Sequence, residues 1–158
     1  EYIVELVALM RLGVVAALMP PQPDQATRAA LLTRSSARAV RSTEGVEFLT
    51  DSTIKAANKD AGIGPAAASK QAADEAMRSG HPKLGDLAAY IFTSGTTGLP
   101  KPALVKHHRF YRAGLVMGGA LQMSSADRLY CCLPLYHANA AVIALSCCIY
   151  ARARLILA

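Results

Sequence analysis

A nine-residue segment, Thr93–Lys101, constrains this chain more than any other part of it. The segment reads TSGTTGLPK and follows an apolar run at residues 87–92. Glycine lets a backbone approach a ligand closely, hydroxyl and N–H groups donate hydrogen bonds, and lysine adds a mobile positive charge. The same residue types occur in exposed turns. The full pattern between two strand-like runs instead favours a loop that holds a polyphosphate.

The spacing of the glycines excludes a Walker A loop, which has a wider glycine spacing and Ser or Thr directly after its lysine. Here two residues separate Gly95 from Gly98, and Pro102 follows Lys101. The next residues, 103–105, are apolar and predict a second strand. We therefore predict a strand–loop–strand phosphate clamp that does not use a helix N-terminus as its anion site.

Helical and strand-like segments alternate along the chain, which predicts an α/β fold with a largely parallel sheet layered with helices. The first and last strands are expected to share that sheet. Glycines at positions 114, 118 and 119 predict close backbone packing of their helix. Predicted helices lie at about 1–12, 24–35 with Asp24 as the N-cap, 51–60, 66–78, 107–121 and 139–150; predicted strands lie at about 14–19, 37–40, 46–49, 87–93, 102–106, 128–132 and 153–158.

The positive charge is unevenly distributed. Residues 1–80 hold nine Lys/Arg and nine Asp/Glu, whereas residues 81–158 hold eight and two and therefore carry the whole net charge of +6. An electropositive phosphate site, attraction to an acidic membrane surface, and compensating acids outside this chain remain alternative explanations. Nucleic-acid binding is disfavoured, because Trp is absent and no Lys/Arg run is interleaved with stacking aromatics.

The cysteines form two adjacent pairs, at 131–132 and 147–148, and do not match a C-x-x-C metal pattern. Their apolar surroundings predict reduced core residues and an intracellular protein. The apolar opening, residues 3–19, is interrupted by Glu5 and Arg11, which favours a buried helix and a buried strand over a membrane span. No signal peptide is visible.

Three segments carry a resemblance to a known family. YIFTSGTTGLPK, residues 90–101, is similar to the signature of the adenylate-forming (AMP-binding) acyl-activating enzymes. Residues 109–112, RFYR, resemble the H-x-R-Y-Y-R run of the branch that contains fatty-acid transport proteins and very-long-chain acyl-CoA synthetases. Residues 129–137, LYCCLPLYH, resemble that branch's D-C-L-P-L-Y-H. The resemblance extends to residues 9–20 and covers most of the chain except about residues 42–82.

The resemblance implies that the chain is part of a large N-terminal domain. Residues 1–158 would then be a partial AMP-binding domain whose first and last residues each fall within a helix or strand. Residues 42–82 would be a variable peripheral segment, and residues 93–101 would be the phosphate loop. A fatty carboxylate and Mg·ATP would give acyl-AMP, and CoA would then take the acyl group. The fragment is expected to be inactive alone. The partners implied are a fatty acid, ATP and CoA, with membrane association through segments outside this chain.

The resemblance also assigns roles to individual residues. Lys101, Thr93 and His137 become the catalytic candidates, with Tyr136 and His137 beside the acyl substrate. No metal ligand is implied within this chain, because the family's Mg²⁺-binding Glu, ribose-binding Asp, hinge and second catalytic Lys lie downstream of Ala158. The expected nucleotide-binding residues are Thr93, Ser94, Gly95, Thr96, Thr97, Gly98 and Lys101.

Several alternatives stay open from the residues themselves. His137 fits a loop-stabilising role as well as a substrate contact, and Tyr136 fits core packing better than a pocket wall. A metal site at His107 and His108 is disfavoured, because adjacent histidines at a helix start point in different directions and no carboxylate lies nearby. Another adenylate-forming ligase, for an aryl, amino or carnitine-type acid, and a non-catalytic lipid-uptake module are the competing functions.

The chain departs from the branch pattern at three positions. Ala138 and Ala140 stand where the branch has S-A-G-N after the histidine, and Pro102 stands where it has Ala. These departures leave the shape of the acyl pocket open. A hydrolase is disfavoured, since no G-x-S-x-G elbow is present.

Overall fold

The computed structural model describes residues 2–35, 37, 39–42, 45–49, 81–93 and 100–158. The predicted helices at 51–60 and 66–78 lie outside these residues. The helices of the described part are α1 (Tyr2–Arg11), α2 (Gln25–Ser35), α3 (His107–Ala120) and α4 (Leu145–Ala151), with a π-helix at Asn139–Ala144 directly before α4. The strands are β1 (Ala16–Leu18), β2 (Ala39–Ser42), β3 (Gly45–Phe48), β4 (Leu87–Thr93), β5 (Lys101–Lys106), β6 (Arg128–Cys131) and β7 (Arg154–Leu157).

The apolar opening forms the helix and strand that its sequence predicts. Gly13 has a φ of 70° and ends α1, and this left-handed geometry suits glycine. The Gly13 N–H donates to the Met10 carbonyl at 3.2 Å, and the Val14 N–H donates to the Leu9 carbonyl at 2.9 Å. These two bonds form a Schellman turn, which feeds the chain into β1. No helix among the described residues is both long and apolar enough to cross a membrane.

Asp24 caps α2 as predicted. Its carboxylate accepts the Thr27 N–H at 2.9 Å and the Thr27 hydroxyl at 2.6 Å. Further along α2, the Arg28 guanidinium contacts Glu47 of β3 at 2.9 Å in an exposed ion pair. The β2–β3 hairpin is antiparallel, and a small core of Leu32, Val40 and Leu49 joins it to α2.

The central sheet has the order β1–β4–β5. Strand β1 pairs with β4 in parallel, while β4 and β5 are antiparallel. Four successive residues of β4, at positions 88–91, are buried, so this strand is covered on both faces. Its side chains join the main core with residues from β1, β5 and the helices. The segment Thr93–Lys101 therefore leaves directly from the most buried strand of the described sheets.

The α/β prediction is confirmed, but the described sheets are mixed. Of the pairings described, β1–β4 and β6–β7 are parallel, and β2–β3 and β4–β5 are antiparallel. The short connection between β4 and β5 accounts for the second antiparallel pair, because parallel neighbours need a long crossover. The expectation that the first and last strands share a sheet is wrong, since β7 pairs with β6 in a separate two-stranded sheet.

Helix α3 packs closely against α4 through two glycines. A Cβ added at Gly114 would lie 2.7 Å from the Ser146 carbonyl oxygen, and one at Gly118 would lie 2.9 Å from the Tyr150 ring. At Gly119 nothing lies within 4 Å of the added atom. Close packing is therefore confirmed at the first two glycines and wrong at the third, which faces away from α4.

The four cysteines are free, and three of them, Cys131, Cys147 and Cys148, are buried as predicted. The core prediction is wrong for Cys132, which is exposed. Cys131 is the last residue of β6, and the residue that follows it points away from the core because side chains alternate along an extended chain.

Candidate functional site

The structure brings the two ends of the predicted phosphate loop together. Thr93, the last residue of β4, is the register partner of Lys101, the first residue of β5. The Thr93 hydroxyl also donates to the Lys101 carbonyl at 3.4 Å, a long and therefore weak hydrogen bond. The strands on either side of the loop are confirmed. The other nucleotide-binding candidates, Ser94, Gly95, Thr96, Thr97 and Gly98, lie outside the described residues.

Both described ends of the loop present their side chains to solvent. Thr93 and Lys101 are exposed, and the ion pair found among the described residues is the distant Arg28–Glu47 contact. The Lys101 ammonium group is thus not paired with any described carboxylate. An exposed lysine on a paired backbone can contact an incoming anion from solvent.

A residue that the sequence did not single out also contacts the end of the loop. The Nη1 of Arg34, in the last turn of α2, donates to the Pro100 carbonyl at 2.5 Å across a separation of 66 residues. A single arginine at the end of a helix gives no sequence signal for such a contact.

His137 and Tyr136 lie in the turn that follows β6. The His137 N–H donates to the Pro134 carbonyl at 3.0 Å, and the His137 carbonyl accepts the N–H groups of Ala140 at 3.1 Å and Ala141 at 2.9 Å. The backbone of His137 therefore closes the turn and begins the π-helix. Its side chain is exposed and free to contact a ligand.

The two rings of this turn lie side by side. Their centroids are 4.7 Å apart, with an angle of 40° between the planes. Tyr136 is partly buried and packs against the main core, which supports its core-packing interpretation. Its ring contact restricts the position of the neighbouring His137 ring. No hydrogen bond or ring contact among the described residues joins the His137 side chain to Thr93 or Lys101, although Tyr136 packs on the core to which β4 and β5 contribute.

The helix that follows the turn at His137 begins as a π-helix at Asn139–Ala144. The N–H of Leu145 donates to the carbonyl of Ala140, five residues earlier. A π-helical turn is uncommon and often lies at a functional site. The π-helix begins two residues after His137, so this irregular backbone lies beside that candidate site residue.

The basic cluster at the start of α3, residues 106–109, has a carboxylate neighbour that the sequence reasoning missed. The His107 N–H donates to the Asp86 carbonyl at 3.0 Å, and the His108 N–H donates to the Leu84 carbonyl at 2.8 Å. Burial lowers the pKa of His107, and the negative charge of Asp86 opposes that shift. The expectation of no nearby carboxylate is therefore wrong, because the turn at residues 83–86 folds back onto the helix start. Even so, no group of three or more His, Cys, Asp or Glu side chains suited to a metal occurs in the described part of the chain.

Comparison with known proteins gives a consistent picture. The sequence model of a family described as AMP-binding enzyme matches residues 1–158. A medium/long-chain-fatty-acid–CoA ligase, FadD6 of Mycobacterium tuberculosis, is 53% identical over 73 residues, which are 46% of this chain and 12% of that protein. Human long-chain fatty acid transport protein 1 is 48% identical over 66 residues, which are 42% of this chain and 10% of that protein. The matches thus span a small part of these relatives' length.

Solved structures share the fold. The o-succinylbenzoate CoA synthetase of Bacillus subtilis, in complex with its acyl-adenylate intermediate, superposes with a TM-score of 0.69 at 21% identity, over 99% of this chain and 40% of that one. An ATP-bound RpMatB-BxBclM chimera gives a TM-score of 0.69 at 20% identity, over 99% of this chain and 32% of that one. At such identities the likeness establishes the α/β fold.

Proposed function

The chain belongs to the AMP-binding enzyme family over residues 1–158, and we propose that the protein containing it is an ATP-dependent fatty acyl-CoA ligase. It would activate a long- or very-long-chain fatty acid to acyl-AMP and then to acyl-CoA. The observation that carries this proposal is the pairing of Thr93 with Lys101 at the base of a TSGTTGLPK loop. The fatty-acid ligase and fatty-acid transport protein among the relatives support the substrate class.

In the first half-reaction, a carboxylate oxygen of the fatty acid attacks the α-phosphorus of ATP. The bond from that phosphorus to the bridging oxygen breaks, and pyrophosphate leaves with the electron pair. Negative charge on the leaving phosphates needs preorganised donors. We assign this role to the loop 93–101, with the Lys101 ammonium supplying charge. The Thr93 hydroxyl supplies a further donor. Its hydrogen bond to the Lys101 carbonyl is 3.4 Å long and weak, so a bond to a phosphate oxygen can replace it.

In the second half-reaction, the CoA thiol sulfur attacks the acyl carbon. The bond from that carbon to the phosphate oxygen breaks, AMP leaves with the electron pair, and the thiol proton passes to solvent. We place His137, in the turn that follows β6, beside the acyl carboxylate of the first half-reaction, since ligands of α/β folds bind beyond the carboxyl ends of strands. Tyr136 packs on the main core, and its ring contacts the His137 ring.

Mg²⁺ bound with ATP would add positive charge at the phosphates. The described residues offer no cluster of His, Cys, Asp or Glu suited to hold it.

In this proposal the chain forms part of the N-terminal domain. Most of the predicted variable segment, 42–82, lies outside the described residues. We place the reaction inside the cell, where the four free thiols suit a reducing compartment.

The test is pyrophosphate exchange by a purified full-length protein that contains this chain. Labelled pyrophosphate should enter ATP when a long-chain fatty acid is present, and CoA should convert the acid to its thioester. Matched reactions with an aryl acid and an amino acid serve as controls. Exchange that depends on either of those acids and not on fatty acids would replace the substrate class, and no exchange with any carboxylate would refute the proposed reaction.

A further inference from the structure

We infer that Arg34 is a positioning residue for the Lys101 end of the phosphate loop and acts through the backbone carbonyl of Pro100. The Arg34 Nη1 donates to that carbonyl at 2.5 Å. Pro100 immediately precedes Lys101, at which β5 begins. The inference rests on the proposed function, in which Lys101 contacts the phosphates of ATP.

The helix that carries Arg34 is firmly held. Leu31 is fully buried, with no exposed surface, and Leu32 joins the small core. At the end of α2 the Ser35 hydroxyl donates to the Leu31 carbonyl at 2.7 Å, and at its start Asp24 caps the helix. A positive charge in the last turn of a helix is also favourable to the helix dipole. The guanidinium is thus presented to Pro100 from a fixed support.

Pro100 offers its partner a single backbone group, since proline has a carbonyl but no N–H. A hydrogen bond from a charged donor is about twice as strong as a neutral one, and the Arg34 bond is partly buried, so water competes with it less. The bond therefore fixes the orientation of the Pro100–Lys101 peptide. Arg34 makes this contact from α2, across a sequence separation of 66 residues.

Two contacts then hold the backbone of Lys101. One is its pairing with Thr93 across the sheet, and the other is the Arg34 bond to the preceding residue. Groups that stabilise a transition state must be placed before the reaction begins, and a small misplacement lowers the rate even when binding persists. Loss of Arg34 should therefore lower kcat for adenylation more than it raises KM for ATP.

The first experiment compares Arg34→Ala with Arg28→Ala in the full-length protein. Arg28 lies on the same helix but makes an exposed ion pair with Glu47, so its loss controls for removing an arginine from α2. We expect Arg34→Ala to lower kcat of pyrophosphate exchange about tenfold, equivalent to about 1.4 kcal/mol, with KM for ATP within about twofold. Arg34→Lys, which keeps a charged donor, should recover most of the activity. An unchanged kcat in Arg34→Ala, or an equal loss in Arg28→Ala, overturns the inference.

If Arg34→Ala does not fold, Arg34→Gln takes its place. The glutamine amide keeps a neutral donor, and the expected loss is about threefold because a neutral bond is about half as strong. Wild-type kcat in Arg34→Gln is then the outcome that contradicts the inference.

A double-mutant cycle separates positioning from general support of the fold. If Arg34 acts through Lys101, then Arg34→Ala should have little further effect on kcat in a Lys101→Ala protein, because the group it positions is gone. A full tenfold loss in that background would show that Arg34 acts elsewhere.

Amide hydrogen exchange at residues 93 and 101, measured without substrate, tests the anchor independently of which acid is activated. Exchange should become faster in Arg34→Ala and stay unchanged in Arg28→Ala. Failure of the proposed function would appear as absent fatty-acid-dependent exchange of pyrophosphate in the wild type. Failure of this inference would appear as equal amide exchange rates in Arg34→Ala and the wild type.

Discussion

At the scale of single residues, the candidate chemistry depends on two exposed side chains, Lys101 and His137, that make no ion pair with any described residue. Lys101 lies at the start of β5, with no described carboxylate beside it. His137 lies in the turn that follows β6, with its backbone hydrogen-bonded and its ring exposed. In both cases the backbone is fixed while the functional atoms remain available. That combination is what a preorganised site requires.

Lys101→Ala should slow acyl-AMP formation on the order of 10²-fold, as expected for removing one transition-state donor, with a smaller effect on ATP binding. The measurement is the rate of fatty-acid-dependent pyrophosphate exchange as a function of ATP concentration. Lys106→Ala is the matched control, because Lys106 is an exposed lysine at the opposite end of β5. An unchanged exchange rate in Lys101→Ala removes this lysine from the mechanism.

His137→Ala should impair adenylation while leaving nucleotide affinity near the wild-type value, since we place the ring beside the acyl carboxylate. The backbone hydrogen bonds of residue 137 survive the change, so the turn itself should persist. Asn139→Ala, an exposed change at the start of the π-helix, is the control. If the histidine variant loses ATP and fatty-acid binding together, its role is structural.

How much of the site was predictable depends on how local each feature is. Thr93 and Lys101 were predictable as a pair, because a short loop between two apolar runs implies adjacent strand ends. The position of Tyr136 against the core agreed with the favoured interpretation. Asp86 beside His107, and Arg34 at Pro100, were not predictable, because each depends on how separate segments pack in three dimensions.

At the scale of elements, close packing of α3 against α4 determines which helix glycines the fold requires. The α3–α4 contact uses Gly114 and Gly118 on one face, and a helix glycine that faces away, Gly119, has no such constraint. Sequence reasoning could not distinguish the three, since helical propensity treats them alike. The packing partner decides which of them is required.

Gly114→Ala should destabilise the protein by about 1–3 kcal/mol, because the new methyl group meets a backbone carbonyl at 2.7 Å that cannot turn aside. Gly119→Ala has open space around it and should instead stabilise the helix by up to about 1 kcal/mol. Denaturant unfolding of the full-length variants measures both. Equal effects of the two changes would show that α3 and α4 do not pack as described.

At the scale of the whole molecule, the α/β class followed from the alternation of elements, whereas the division of strands among sheets did not. Alternation along the chain says nothing about which strands hydrogen-bond, so β7 pairs with β6 and not with β1. The β1–β4–β5 sheet and the β6–β7 sheet nevertheless meet in one core, to which β4, β5, the π-helix and Leu155 of β7 contribute.

The exposed apolar side chains give the last prediction. Leu104 of β5 is 65% exposed and Tyr130 of β6 is 63% exposed, and exposed large hydrophobic residues also lie on α3 and α4. Such side chains beside strand edges promote association. We therefore expect the isolated 158-residue chain to self-associate, as sedimentation velocity would detect, and to bind ATP weakly or not at all. A monomer that melts cooperatively and binds ATP in the micromolar range would contradict this. It would show that the chain is a self-sufficient nucleotide-binding unit, and a non-catalytic module would then replace the ligase as the favoured function.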